Sequence, residues 1–213
     1  MGIVIHRHER DETQIGVWKV EESVEVLKKN LILNAEEIRF FSQLNKGKRN
    51  IHWLSGRVLL RKLLNTDQFI KVRGDVHGKP HLLNFDYHIS ISHSSDYAAV
   101  MLSKKRVGID VEEIKDVILK VAPKFLSEKE LSEVELTTDN IKKLYVYWCA
   151  KESVFKLNGK KQLLFREHIY INPFEWGEKG SVTAEIRQGK LQLDLNVFYE
   201  EFNKYMLTYV IDN

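Results

Sequence analysis

The sequence predicts an α+β fold built from two similar halves that are related by a pseudo-twofold axis. Helix-type and strand-type patterns are interspersed along the 213 residues, without a low-complexity linker. Three of these segments recur in the same order, at an almost constant spacing, in the second part of the chain. Such repetition indicates an internal duplication. We place the halves at residues 1–103 and 104–213 and expect the active site at their junction.

The first recurring segment predicts a strand that leads into a helix. IGVWKVEESVEVLK begins at Ile15, and VGIDVEEIKDVILK begins at Val107. Apart from a one-residue adjustment, the glycine, the glutamates and the final apolar-Leu-Lys sequence correspond. The two segments are therefore interpreted as equivalent elements of the two halves.

The second and third recurring segments predict helices. LNAEEI at Leu33–Ile38 and LSEKEL at Leu126–Leu131 both have capping-box spacing, which marks a helix start. WLSGRVLLRKL from Trp53 and WCAKESVFKLN from Trp148 are helical in both copies.

Charge distinguishes the two copies. Asp110 stands where the first copy has Trp18, Glu152 where it has Arg57, and Lys156 where it has Arg61. One half is thus acidic at these positions and the other is basic. A metal–phosphate site needs both, because carboxylates hold a hard cation and basic side chains neutralise the phosphates.

A turn and two strands lie between the copies, and more strands follow them. GDVHGKP (Gly74–Pro80) predicts the turn, and HISISHSSDYAAVML (His88–Leu102) predicts a strand pair with Ser90 and Ser92 on one face. Four alternating segments near the C-terminus predict further strands.

Composition and charge narrow the functional class. A net charge of +3 suits acidic or phosphorylated partners but falls short of the excess expected for a nucleic-acid binder. Cys149 is the only cysteine, which fits a reducing compartment. No signal peptide or membrane-length apolar run is apparent. These features predict a cytoplasmic protein without membrane contact.

The helix predicted over residues 141–157 carries a carboxylate where a core residue is expected. Glu152 falls on the same face as five apolar side chains: Ile141, Leu144, Tyr145, Trp148 and Phe155. An ionised carboxylate in such a place needs a metal, a cation or a strong donor. The alternative is a surface ion pair between Glu152 and Lys156, one turn further on.

A second pair of carboxylates lies on the strand that begins the second copy. Asp110 and Glu112 point to one side of this strand because side chains alternate. With Glu152 and a substrate pyrophosphate they would complete a Mg²⁺ site. The alternative for an isolated D-x-E is the solvated face of a half-exposed strand.

Polar groups between the copies are candidate phosphate ligands. Ser92 and His93 have no G-x-S-x-G elbow beside them, so we interpret them as phosphate donors rather than a nucleophile pair. Lys79 and Pro80 belong to the turn, which would present the Lys79 ammonium. A basic run includes Arg49, and such runs are usually solvated.

The motifs G-K-P, S-H-S, V-G-I-D-V-E and W-C-A-K-E-S-V-F-K, in this order and spacing, resemble the 4'-phosphopantetheinyl transferase superfamily. The length and the duplication are similar to its surfactin-synthetase type, a pseudo-dimer in one chain. The resemblance implies Mg²⁺-dependent transfer of the phosphopantetheine arm of coenzyme A to a carrier-protein serine, with release of adenosine 3',5'-bisphosphate. It also implies a monomer and an acidic acyl or peptidyl carrier protein as partner.

The resemblance also implies roles for single residues. Mg²⁺ would be held by Asp110, Glu112 and Glu152. Glu152 would also act as general base, and Lys156 would stabilise the leaving phosphate. The implied coenzyme A ligands are Lys79, Pro80, Ser92, His93 and Lys151, with Arg49 chosen over Lys48 and His52 for the 3'-phosphate.

One departure from the family pattern and two rival functions accompany this interpretation. The G-x-G-L turn of the family keeps only Gly159, and we expect Lys160 and Lys161 to bind the carrier. A non-catalytic coenzyme A or carrier-binding module would be expected to lack a carboxylate, and all three are present. A metal-dependent nucleotide pyrophosphate hydrolase would use the same ions but would cleave coenzyme A without a carrier.

Overall fold

The computed structural model describes residues 2–44, 47–159 and 163–212, and it confirms the α+β class. The strands are β1 (Ile3–Glu9), β2 (Thr13–Lys19), β3 (Val72–Gly74), β4 (Pro80–Leu82), β5 (His88–Ser94), β6 (Tyr97–Ser103), β7 (Val107–Glu113), β8 (Ile169–Ile171), β9 (Lys179–Gln188), β10 (Leu191–Phe202) and β11 (Tyr205–Ile211). The helices are α1 (Val24–Lys29), α2 (Ala35–Gln43), α3 (Lys48–Leu64), α4 (Ile118–Phe125), α5 (Glu128–Glu133), α6 (Ile141–Asn158) and α7 (Phe165–His168).

Two antiparallel sheets organise the chain. The first has the strand order β1-β2-β6-β5, and the second has the order β7-β11-β10-β9-β8. β3 and β4 form a separate hairpin around the predicted turn. The two larger sheets lie on either side of the proposed boundary after residue 103, and the long helices α3 and α6 pack against them.

Side chains rather than backbone pairs join the two sheets at β5 and β7. Alternate serines of β5 point toward β7 because side chains on one face of a strand recur at every second residue. Their hydroxyl groups accept backbone N–H groups of β7: Ser90 from Ile109 at 3.1 Å, Ser92 from Val111 at 3.3 Å and Ser94 from Glu113 at 3.2 Å. This serine seam fixes the strand of the candidate metal ligands to the first half.

A glycine lets each long helix approach its sheet. A Cβ atom on Gly108 in β7 would lie 1.9 Å from the carbonyl oxygen of Ser153 in α6. A Cβ atom on Gly16 in β2 would meet side-chain atoms of Leu59 and Leu63 in α3 at 3.0 Å. Helix α6 and strand β7 are therefore too close together for any residue other than glycine at position 108.

Both predicted capping boxes are present, and each capping glutamate also pairs with a cation of the long helix. The boxes are Asn34 with Glu37 at α2 and Ser127 with Glu130 at α5. The ion pairs are Glu37 with Arg57 and Glu130 with Lys151, both at 2.7 Å. In the second half this cation is Lys151, which lies one residue before the position equivalent to Arg57. That equivalent position is occupied by Glu152.

No helix in residues 2–44, 47–159 and 163–212 combines the length and apolar character that crossing a membrane requires.

Candidate active site

The two carboxylates predicted on one strand face lie together at the serine seam. Asp110 is 2% exposed, and Glu112 is partly exposed at the end of β7. Asp110 accepts hydrogen bonds on Oδ1 from Ser92 Oγ and Lys156 Nζ, each at 2.7 Å. Its other oxygen, Oδ2, is buried without a hydrogen-bond partner. Asp110 therefore keeps one acceptor that the protein leaves unsatisfied.

The third carboxylate, Glu152, enters the site from α6. Burial and the nearby charge of Asp110 raise the pKa of Glu152 to about 7, although Lys156 opposes this effect. Burial and Asp110 also raise the pKa of Glu112. Both glutamates thus experience the negative charge of Asp110, and the site has a deficit of positive charge.

Lys156 pairs with Asp110 rather than with Glu152. Its ammonium lies 2.7 Å from Asp110 Oδ1, and the Lys156 side chain is 26% exposed. The surface pair between Glu152 and Lys156, the alternative for this helix, is thus not the arrangement that the structure contains. α6 instead presents an acidic and a basic group to the same strand.

The carboxylate set has the chemistry of a hard-cation site. It offers carboxylate oxygens, a buried acceptor without a partner and uncompensated negative charge. Mg²⁺ would bind these oxygens and neutralise this charge. Within the described part of the chain, no group of three or more His, Cys, Asp or Glu side chains is already arranged to hold a metal. Lys156 supplies a counter-charge at Asp110 Oδ1, and Asp110 Oδ2 stays available to a cation.

Lys79 and Pro80 line a cavity of about 180 Å³ next to the carboxylates. Phe155, Lys156 and Gly159 of the α6 end form its other side. Lys79 Nζ donates to the carbonyl oxygens of Lys156 and Leu157, each at 2.7 Å. Burial lowers the pKa of Lys79 to about 8. Lys79 thus caps the C-terminus of α6 and borders the cavity.

His93 forms a stacked pair with His52 of α3. The ring centroids are 4.3 Å apart, and His52 Nε2 lies 2.9 Å from the carbonyl oxygen of Ser95. Loss of hydration and the charges of His52 and Lys156 lower the pKa of His93 to about 4. The ring is therefore neutral at pH 7. Arg49 is exposed one turn before His52, and its role toward the 3'-phosphate stays a prediction.

In the structure, Ser92 contacts Asp110 and the backbone of β7. Ser92 is 5% exposed, donates its only hydroxyl hydrogen to Asp110 and accepts the N–H group of Val111. The expectation that it donates to coenzyme A is therefore replaced by a contact with a candidate metal ligand.

The expectation that Lys151 binds coenzyme A is wrong. This side chain is 0% exposed, and its ammonium contacts Glu130 and three carbonyl oxygens, those of Phe125, Phe165 and Ile169. These acceptors use all the hydrogens of an ammonium group. Lys151 thus joins α6 to α4, α5 and α7 and leaves nothing for a ligand.

A mainly apolar groove of about 770 Å³ opens beside Glu152. It lies between α4, α6 and α7, and it was not predicted because its walls are separate in sequence. Its lining residues are Val121, Lys124, Phe125, Trp148, Glu152, Phe155, Leu163, Leu164 and Phe165. Lys160 and Lys161, which we expected to bind the carrier, lie outside the described residues.

Carboxylates and ammonium groups from β7 and α6 thus form one ionic site beside an apolar groove. The sequence model of the 4'-phosphopantetheinyl transferase superfamily matches residues 106–210. The matched residues include Asp110, Glu112, Glu152 and Lys156. They confirm the family that the sequence motifs indicated.

Curated relatives agree with the surfactin-synthetase type and with the enzyme class. The 4'-phosphopantetheinyl transferase gsp of Aneurinibacillus migulanus is 32% identical over 144 residues, which cover 64% of this chain and 58% of that protein. The 4'-phosphopantetheinyl transferase Sfp of Bacillus subtilis is 31% identical over 116 residues, 50% of this chain and 51% of that protein. The matched part thus spans about half the length of these relatives.

Proposed function

We propose that this protein transfers the 4'-phosphopantetheine arm of coenzyme A to a serine of an apo carrier protein. The observation that carries the proposal is Glu152, a carboxyl group with a pKa of about 7 that lies between the carboxylates of β7 and the apolar groove. A group poised near the working pH is suited to accept a proton. The names of the relatives support the same enzyme class.

The reaction requires positioning and charge neutralisation more than a protein nucleophile. The serine oxygen forms a bond to the phosphorus that carries pantetheine, while the bond from that phosphorus to the oxygen of the adenosine phosphate breaks. Glu152 takes the serine proton. Lys156, whose ammonium lies beside Asp110, neutralises the leaving adenosine 3',5'-bisphosphate.

Asp110, Glu112 and Glu152 would hold Mg²⁺, which neutralises pyrophosphate charge when it is bound. The cavity bordered by Lys79 and Pro80 would take part of coenzyme A, with His93 as a neutral donor and Arg49 near the 3'-phosphate. Lys79 has a cationic form near neutral pH and lies beside Lys156. These assignments place ligands from both halves around one substrate.

The groove beside Glu152 would receive the carrier. A carrier has to bring its serine to Glu152, and the apolar walls offer contact area directly next to that carboxyl group. Lys124 on the wall suits the acidic surface of the expected partner. The protein would act as a monomer in the cytoplasm.

Mass spectrometry of apo carriers tests the proposal. Incubation with coenzyme A and Mg²⁺ should add one phosphopantetheine group to at least one of a panel of fatty-acid, polyketide and peptide carriers. A carrier with serine changed to alanine should stay unmodified, and Glu152→Gln should reduce the rate by about 10²-fold or more, as loss of a general base typically does. Coenzyme A cleavage without any carrier modification would instead identify a pyrophosphate hydrolase.

A further inference from the structure

The serine seam also contacts the acidic face of β7 at its carboxylates. Ser92 Oγ donates to Asp110 Oδ1 at 2.7 Å, and Ser94 Oγ donates to Glu112 Oε2 at 2.8 Å. The same two hydroxyl groups accept backbone N–H groups of β7. Each hydroxyl is therefore held on one side by the β7 backbone and directs its hydrogen to one carboxylate.

We propose that Ser94 is a positioning residue that orients Glu112 for metal binding from the other half of the protein. This inference rests on the proposed function. A carboxylate that accepts a hydrogen bond on one oxygen has fewer rotamers, and its remaining oxygen points in a defined direction. The Trp148 indole also supports Glu112, so Ser94 is one of two donors to this side chain.

The geometry favours a role in the site over a purely structural one. A structural serine at this seam needs only to accept the N–H group of β7, which Ser90 does with Ile109. Ser92 and Ser94 do this as well, and their hydrogens go to the two carboxylates of the proposed metal set. The other residues that the first half is proposed to supply bind coenzyme A. Through these serines the first half would also orient the metal ligands.

A neighbouring residue provides a matched control. Ser95 Oγ donates to Glu113, a carboxylate outside the proposed metal set that pairs with Lys115 at 2.6 Å. Ser95→Ala removes the same chemical group and a hydrogen bond of the same type, one residue further along. It should leave metal binding unchanged and cost no more stability than Ser94→Ala, which also removes the acceptor of the Glu113 N–H group.

The experiment compares Ser94→Ala, Ser94→Thr and Ser95→Ala with wild type. Manganese, used as a Mg²⁺ probe, is titrated by electron paramagnetic resonance in the presence of coenzyme A, and the Mg²⁺ concentration for half-maximal transfer is measured in parallel. Ser94→Ala should raise both values about 10-fold or more, the usual effect of removing a partner of a metal ligand. Ser94→Thr should restore them, and Ser95→Ala should match wild type.

Two outcomes would overturn the inference. Metal titrations of Ser94→Ala that match wild type would show that Glu112 is oriented without Ser94. Equal shifts for Ser94→Ala and Ser95→Ala, with similar losses in melting temperature, would show a general loosening of the seam. A wild-type protein that modifies no carrier would contradict the proposed function instead, and manganese binding would still test the role of Ser94.

Discussion

At the scale of single residues, the adjacent charged residues Lys151 and Glu152 of α6 differ in their surroundings. The sequence predicts a charged group, Glu152, within the apolar face of this helix. In the structure, the fully buried charged residue is Lys151. α6 is buried on most of its surface because it packs against β7, β11 and α4, so the apolar stripe is wider than the sequence pattern indicates. The acidic set was predictable from strand alternation and helical spacing. The partners of Lys151 were not, because they come from four other elements, α4, α5, α7 and β8.

Glu152 should make the stability of the metal-free protein depend on pH. Its pKa rises from an ordinary value of 4.5 to about 7 on folding, so the folded state disfavours the ionised form. Below pH 4.5 the group is protonated in both states and the effect disappears. As pH rises from 4.5 through 7, the unfolded state loses its proton first, and stability is progressively lost.

Glu152→Gln should therefore melt above wild type at pH 8 in the presence of a chelator, with a difference that narrows toward pH 4.5. Thermal melting of both proteins across this range provides the measurement. Magnesium should stabilise wild type more than the variant. A variant that melts below wild type at pH 8 would show that the ionised carboxylate is already compensated within the protein.

At the scale of elements, recurrence in the sequence predicted more than local propensity did. The capping boxes at α2 and α5, the pair β5–β6 and the long helices α3 and α6 are all where the repeated segments and alternation indicate. β1 was not predicted, because its burial alternates between partly exposed and exposed positions and its apolar residues do not enter the deep core. The groove also escaped prediction, because periodicity within one helix does not reveal which elements face each other.

The two strand glycines give an element-scale prediction. Gly108→Ala would place Cβ against the α6 backbone, which cannot rotate away, so α6 has to move off β7. We expect a loss of about 1–3 kcal/mol in unfolding free energy or more, as for other overpacked sites. Transfer activity should fall as well, because the shift separates Glu152 from Asp110.

Gly16→Ala is the matched control in the first half. The contacts there are ends of leucine side chains, which can adopt other rotamers, so the loss should be smaller. Urea unfolding of both variants measures the difference. Equal losses would mean that α6 is no more constrained by close approach than α3.

At the scale of the whole molecule, the candidate site draws on residues from both sides of the predicted boundary after residue 103. β7 and α6 of the second half supply the carboxylates and Lys156, whereas the segment before residue 104 supplies Lys79, Pro80, His93 and the serine seam. The sequence indicated this division through the charge difference between its two copies. The pseudo-twofold relation and the boundary after residue 103 stay predictions.

Calorimetric titration of coenzyme A, once with Mg²⁺ and once with chelator, tests the shared site most directly. Asp110→Asn should weaken only the Mg²⁺-dependent part of binding. His93→Ala and Lys79→Ala should weaken binding under both conditions, each by about 1.5–3 kcal/mol, as expected for hydrogen bonds to charged groups. Melting curves must show that the variants are folded, since Lys79 also caps α6. Wild-type affinity in both first-half variants, with loss of binding in Asp110→Asn alone, would place coenzyme A within the second half and contradict a site shared between the halves.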